Sequence, residues 1–125
     1  MRAVKSKNTA PEILARRAAH GLGLRFRTHP ADLPGKPDFV LPKHRLAVFV
    51  HGCFWHGHAK CNRAALPKSN RAFWSEKIAR NRLRDRRAYS ALRRQGWRIL
   101  VLWQCQIKTK EAAEAKFRSM IVASA

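Results

Sequence analysis

Apolar residues recur with two different periods along this chain, and the changes of period mark out its elements. Ile13, Leu14, Ala18, Gly21 and Leu22 follow helical spacing. Thr9-Ala-Pro-Glu12 ahead of them is a capping-box pattern, with proline in the first turn where its missing N–H is tolerated. Gly21 and Gly23 end that helix. Leu24 to Thr28 alternates as a half-buried strand, and His29 to Pro37 is a loop holding three prolines. Asp38 to Leu41 reads as a short strand, Pro42 to His44 as a turn, and Arg45 to Val50 as a second strand. The latter is apolar on both faces and is therefore expected to be central. A three-residue turn places Asp38 opposite Val50, within one position. A helix follows, capped by Ser69 or Asn70 and ended by Gly96, with a break near Asn81. Ile78, Asp85, Ala88 and Leu92 form its inward stripe. Trp97 to Trp103 is again apolar on both faces. Thr109 caps a last helix whose apolar side is Ala113, Phe117, Met120 and Ile121. The order α-β-β-β-α-β-α predicts an α/β fold, a mixed sheet with helices on its faces. Residues 1–125 are read as one domain.

Charge changes the picture. There are 27 Lys and Arg against 7 Asp and Glu, a net charge of +20. Such a surface attracts polyanions, and nucleic acid is the first expectation because neutralised phosphates release counterions. Charge alone favours a ribosomal or nucleoid-associated protein without chemistry. No apolar run approaches membrane length and no signal peptide is apparent, so a cytoplasmic, nucleoid-associated location is expected. No spare apolar surface is legible, which predicts a monomer.

The chemistry is concentrated in His51-Gly-Cys-Phe-Trp-His-Gly-His-Ala-Lys-Cys61. Cys53, His56 or His58, and Cys61 lie in one loop, and Cys105 follows the 97–103 strand; together they could complete a tetrahedral zinc site. The plainer reading leaves the loop thiols free and Cys105 as a small buried hydrophobe. Asp38 and the Val50 carbonyl are hard oxygen ligands suited to Mg²⁺, and His51 and His56 are expected to converge on the same side of the sheet. A neutral histidine there can take a proton from attacking water, so the set can hydrolyse a phosphodiester. As plain structure, Asp38 would cap the start of a strand and Glu12 would complete the capping box. Phe54, Trp55 and the Phe73-Trp74 pair are aromatics set among positive charges, able to stack on bases or wedge between base pairs. Core packing is the expectation for Phe73, Trp97 and Trp103, while Trp55 and Trp74 fit either role.

Pro37-Asp-Phe-Val40, Phe49-Val-His-Gly-Cys-Phe-Trp-His56, Phe73-Trp-x-Glu-Lys-Ile78, Asn81-x-x-x-Asp-Arg-Arg87, Gly96-Trp-Arg98 and Trp103-x-Cys105 resemble the very short patch repair mismatch endonucleases. The resemblance runs from about Thr9 to Cys105. It implies a PD-(D/E)xK, restriction-endonuclease-like αβββαβ core with a zinc-stabilised loop. The implied activity is nicking of double-stranded DNA 5′ of the thymine in T:G mismatches left by 5-methylcytosine deamination. Mismatch-repair proteins are the further partners it suggests. Carried over, Asp38 and the Val50 carbonyl would hold catalytic Mg²⁺ and His56 would be the general base. His51 and Asp85 would support the site, Asp85 by orienting a histidine, and Glu12 matches the acid on the first helix. Cys53, His58, Cys61 and Cys105 would hold structural Zn²⁺, and Phe54, Trp55 and Trp74 would enter beside the mismatch.

The third strand ends in Val50-His-Gly52 and lacks the carboxylate and lysine of a standard nuclease of this core, as the resembled family does. Two residues separate His58 from Cys61 where the family pattern suggests one, so an altered zinc geometry is expected. A shorter basic N-terminal clamp than the family's is also expected. The rival readings are a restriction-type endonuclease of the same core acting on matched DNA and a non-catalytic, zinc-containing nucleic-acid-binding protein.

Overall fold

The computed structural model describes residues 10–53 and 68–123. Its elements are α1 (Ala10–Gly21), β1 (Arg27–Thr28), β2 (Phe39–Leu41), β3 (Leu46–His51), α2 (Arg71–Arg94), β4 (Arg98–Trp103) and α3 (Lys110–Ala123). The sheet order is β1-β2-β3-β4. β1 to β3 pair antiparallel, and β3 and β4 run parallel, joined through α2. The mixed sheet expected from the sequence is present, with β3 between two neighbours and almost wholly buried.

Alternation along the strands decides which helix lies on which face. Phe39, Leu41, Leu46, Val48, Leu100 and Leu102 pack with Ala15, Ala18 and Ala19 of α1 and Ala113 and Phe117 of α3. Val40, Ala47 and Phe49 take the opposite face and pack with Leu92 of α2 and Trp97. At about 25 cal/mol per Å² of apolar area removed from water, these two layers dominate folding.

Four details depart from the sequence pattern. β1 pairs only at Arg27 and Thr28, not from Leu24, because three-residue β2 offers no longer partner. Leu24 and Phe26 instead pack onto the core. α2 runs unbroken past Asn81, whose side-chain oxygen accepts a hydrogen bond from Arg84 at 3.2 Å. Asn70 does precede α2, but in a left-handed conformation (φ 56°) and without a side-chain cap bond. Strand β4 begins at Arg98 because the Trp97 N–H is committed to the Leu92 carbonyl at the end of α2, 3.0 Å away. Gly96 makes that turn at φ 88°. The expected cap of α3 holds, with Ala112 N–H donating to Thr109 Oγ1 at 3.1 Å. No helix among the described residues is long and apolar enough to cross a membrane.

Candidate active site

Among the described residues, Glu12, Asp38, His29, His51 and Asp85 gather at one end of the sheet. β3 and β4 run parallel and both finish there, with His51 paired to Trp103. Antiparallel β2 begins there, so Asp38 lies at the same end. The register puts Asp38 opposite Phe49, within one position of Val50 as expected, and the Asp38 N–H donates to the Val48 carbonyl at 3.0 Å. The link to Val50 is made by the side chain instead. Asp38 Oδ2 accepts the Val50 N–H at 2.6 Å.

Glu12 reaches this end from the first turn of α1. It is 1% exposed, and its carboxylate faces the site rather than solvent. His29 Nε2 donates to Glu12 Oε2 at 2.9 Å, and the Arg16 guanidinium lies 3.7 Å from the same oxygen. Thr9, the other half of the expected capping box, lies outside the described residues. His29 is held from behind as well, its N–H donating to the Asp38 carbonyl at 2.9 Å, at φ 45°.

These surroundings set the charge of Asp38. Burial pushes its carboxyl up from 3.8 to about 7. The Val50 N–H opposes that rise, Glu12 adds to it through hydrogen bonding and charge, and Arg16 opposes it. A buried carboxyl beside a half-buried one, with Asp38 pushed up to about 7, is costly for a metal-free protein. A hard divalent cation would remove that cost, so the donor set fits Mg²⁺.

His51 lies on the face of β3 opposite Val50. The alternation that directs Val50 toward the α1 and α3 core turns the His51 ring toward α2. The reason is the two-residue period of β3. His51 Nε2 lies 2.6 Å from Tyr89 Oη and 3.8 Å from Asp85 Oδ2. Phe49 and Trp103 flank the ring at centroid distances of 5.7 and 5.3 Å. Asp85, on the inward stripe of α2, is thus beside a histidine, the arrangement that the family resemblance implied.

The sequence profile described as DNA mismatch endonuclease Vsr matches residues 1–63. The DNA mismatch endonuclease Vsr of Escherichia coli is 44% identical over 111 residues, covering 89% of this chain and 70% of that protein. The chain belongs to the Vsr family of DNA mismatch endonucleases. It is also 51% identical over 121 residues to the type II nicking enzyme V.XorIIP of Xanthomonas oryzae pv. oryzae, covering 97% of this chain and 88% of that protein. The type II nicking enzyme V.NmeAIP of Neisseria meningitidis is 40% identical over 118 residues, with coverages of 94% and 84%. As a Vsr-type enzyme the protein is a DNA endonuclease.

Other residues singled out from the sequence fall around this Vsr-type site or beyond the described residues. Cys53 is buried and Cys105 partly so, and neither is in a disulfide. Each lies two residues beyond the His51–Trp103 pair of parallel strands, so both thiols belong to one end of the sheet. Thiols are the soft donors that a metal such as zinc takes. Phe54, Trp55, His56, His58 and Cys61 lie outside the described residues. Phe73, expected in the core, is 49% exposed. It sits in the first turn of α2, before that helix meets the sheet, and its ring packs edge-on against Trp74 at 5.1 Å. Trp97 is buried as expected, with the Arg45 guanidinium 4.3 Å from its ring, whereas Trp103 is only partly buried.

Sequence reasoning missed His29, Arg16 and Tyr89. Tyr89 carried a signal, since it lies four residues after Asp85 on the same helix face. Arg16 likewise lies four residues after Glu12. His29 carried none, because its contact depends on a loop turning back over α1.

Proposed function

We propose that this Vsr-family endonuclease nicks double-stranded DNA 5′ of the thymine of a T:G mismatch arising from 5-methylcytosine deamination, with Mg²⁺ as catalytic metal and Zn²⁺ as structural metal. The observation that carries the reading is the pair of adjacent carboxyls, Asp38 and Glu12, gathered at the strand end that delivers Val50 and His51. Asp38 and the Val50 carbonyl would hold Mg²⁺. When bound, the ion supplies Lewis-acid stabilisation of charge on the phosphoryl oxygens.

The chain's own residues do the rest. The Val50 N–H fixes the Asp38 carboxylate, and His29 with Arg16 fixes Glu12 beside it. His56 takes the proton from the attacking water. His51 and Asp85 support the strand end. Cys53, His58, Cys61 and Cys105 would hold the zinc, which would supply a structural tie. Phe54, Trp55 and Trp74 enter beside the mismatch, where weak pairing lowers the cost of opening the stack. The net charge of +20 supplies attraction to the duplex backbone.

A second reading is favoured by the names of two relatives, which are type II nicking enzymes. On that reading the enzyme nicks matched duplex as well. Both are tested with a labelled duplex carrying one T:G pair and its T:A control, in Mg²⁺ and then in EDTA. The proposal expects a nick 5′ of the mispaired thymine that needs Mg²⁺, is absent from the control, and is lost in Asp38→Ala. Equal cutting of both duplexes establishes the second reading. Binding without any nick defeats both.

A further inference from the structure

The hydrogen bond between Tyr89 and His51 is not accounted for by the roles assigned above. We infer that Tyr89 is a positioning residue of the nicking reaction, donating its hydroxyl proton to His51 Nε2 and so fixing the ring's tautomer and orientation at the end of β3. This rests on the proposed role of His51 in supporting the active site.

The argument starts from geometry. The 2.6 Å separation is a short hydrogen bond, whereas the 3.8 Å to Asp85 Oδ2 is beyond one. His51 is only 4% exposed, so its ring nitrogens have few water alternatives. Phe49 stacks edge-on to Tyr89 at 5.1 Å and flanks His51, and Trp103 closes the other side, leaving the imidazole little freedom to turn.

Direction follows from chemistry. A phenol is a far better donor to an imidazole nitrogen than an acceptor from it. Burial and the charge of Asp85 hold the Tyr89 hydroxyl protonated well above the ordinary tyrosine range. With Nε2 accepting, a neutral His51 carries its proton on Nδ1. His51 directly follows Val50, so a fixed ring also fixes the peptide between them, whose carbonyl is the proposed metal ligand. Asp85 then acts on His51 by charge, with Tyr89 giving the directional bond.

The test uses the full chain and the T:G duplex. Tyr89→Phe keeps the ring and its packing and removes only the hydroxyl. Single-turnover nicking is expected to slow on the order of tenfold, with duplex affinity unchanged. His51→Ala combined with Tyr89→Phe should be no slower than His51→Ala alone, because the hydroxyl acts only through the ring. Long-range ¹⁵N spectra of labelled histidine should show His51 as the Nδ1–H tautomer in the wild type and a tautomer mixture in Tyr89→Phe. A wild-type rate in Tyr89→Phe beside an impaired His51→Ala overturns the inference alone. A wild-type rate in His51→Ala overturns the parent reading of His51 and the inference with it. An Nε2–H tautomer in the wild type overturns the inference regardless of activity, and regardless of how well the variants fold.

Discussion

At the scale of single residues, Asp38 is where structure and chemistry pull against each other. Its folded-state acidity is weaker than in the unfolded chain, rising from 3.8 to about 7. The folded protein therefore binds this proton more tightly, and between those values folding takes up a proton. Metal-free stability contributed by Asp38 is present below pH 4 and declines as pH rises toward 7. Asp38→Asn removes the titration while keeping an oxygen for the Val50 N–H. In EDTA the variant should be more stable than the wild type at pH 7.5, by on the order of 2 kcal/mol after allowance for partial exposure. The two should converge near pH 4, as read by urea unfolding at each pH. A constant difference across that range would show that the Asp38 charge is not the cause. His29 gives a second expectation. His29→Ala removes a donor 2.9 Å from the buried Glu12 and should cost about 1–3 kcal/mol in the same unfolding assay.

At the scale of elements, the contact that most constrains the site is that of the 29–37 loop with α2. Gly35 has φ +72°, and a Cβ built there would lie 2.3 Å from the Ala88 Cβ. No side chain fits without moving the loop or the helix. Since the loop carries His29 at one end and leads into Asp38 at the other, such a movement would disturb both. Gly35→Ala should therefore lower the melting temperature markedly, by about 2 kcal/mol or more in stability. Adding Ala88→Gly relieves the clash but not the backbone strain, so the double variant should recover part of the loss. No recovery would mean that the φ value alone decides the effect. The cap of α3 is a smaller device, and Thr109→Ala should cost about 1 kcal/mol.

At the scale of the whole molecule, charge and fold do separate work. The sheet with α1 and α3 on one face and α2 on the other is held by two apolar layers that contain almost no charge. Among the described residues no lysine or arginine is buried, and the chain's net charge is +20. Exposed, screened charges add little to folding but much to attraction for a polyanion. Affinity for a matched duplex should accordingly fall by roughly 10³-fold or more between 50 and 200 mM salt, as expected for six or more phosphate contacts. A weak salt dependence in a filter-binding titration would show that most of these arginines and lysines merely face solvent.

The sequence by itself determined the elements and the chemical cast. Periodicity located three helices and the strands because burial on one side or both imposes its own spacing. Asp38 and the His51-to-Cys61 run stood out because few residue types can hold a metal or move a proton, whereas Glu12 read as half of a capping box. What the tertiary structure decided were relations between distant segments. Local pattern cannot show that Glu12 turns from a helix cap toward His29, since that depends on where a loop with a left-handed turn crosses α1. Nor can it show that Phe73 lies outside the core, because α2 meets the sheet only further along. The face taken by His51 follows from the register of β3, and its bond to Tyr89 from the position of α2 above that face. Spacing along the chain is a one-dimensional signal, whereas a site forms where sheet register and helix docking make separate segments meet.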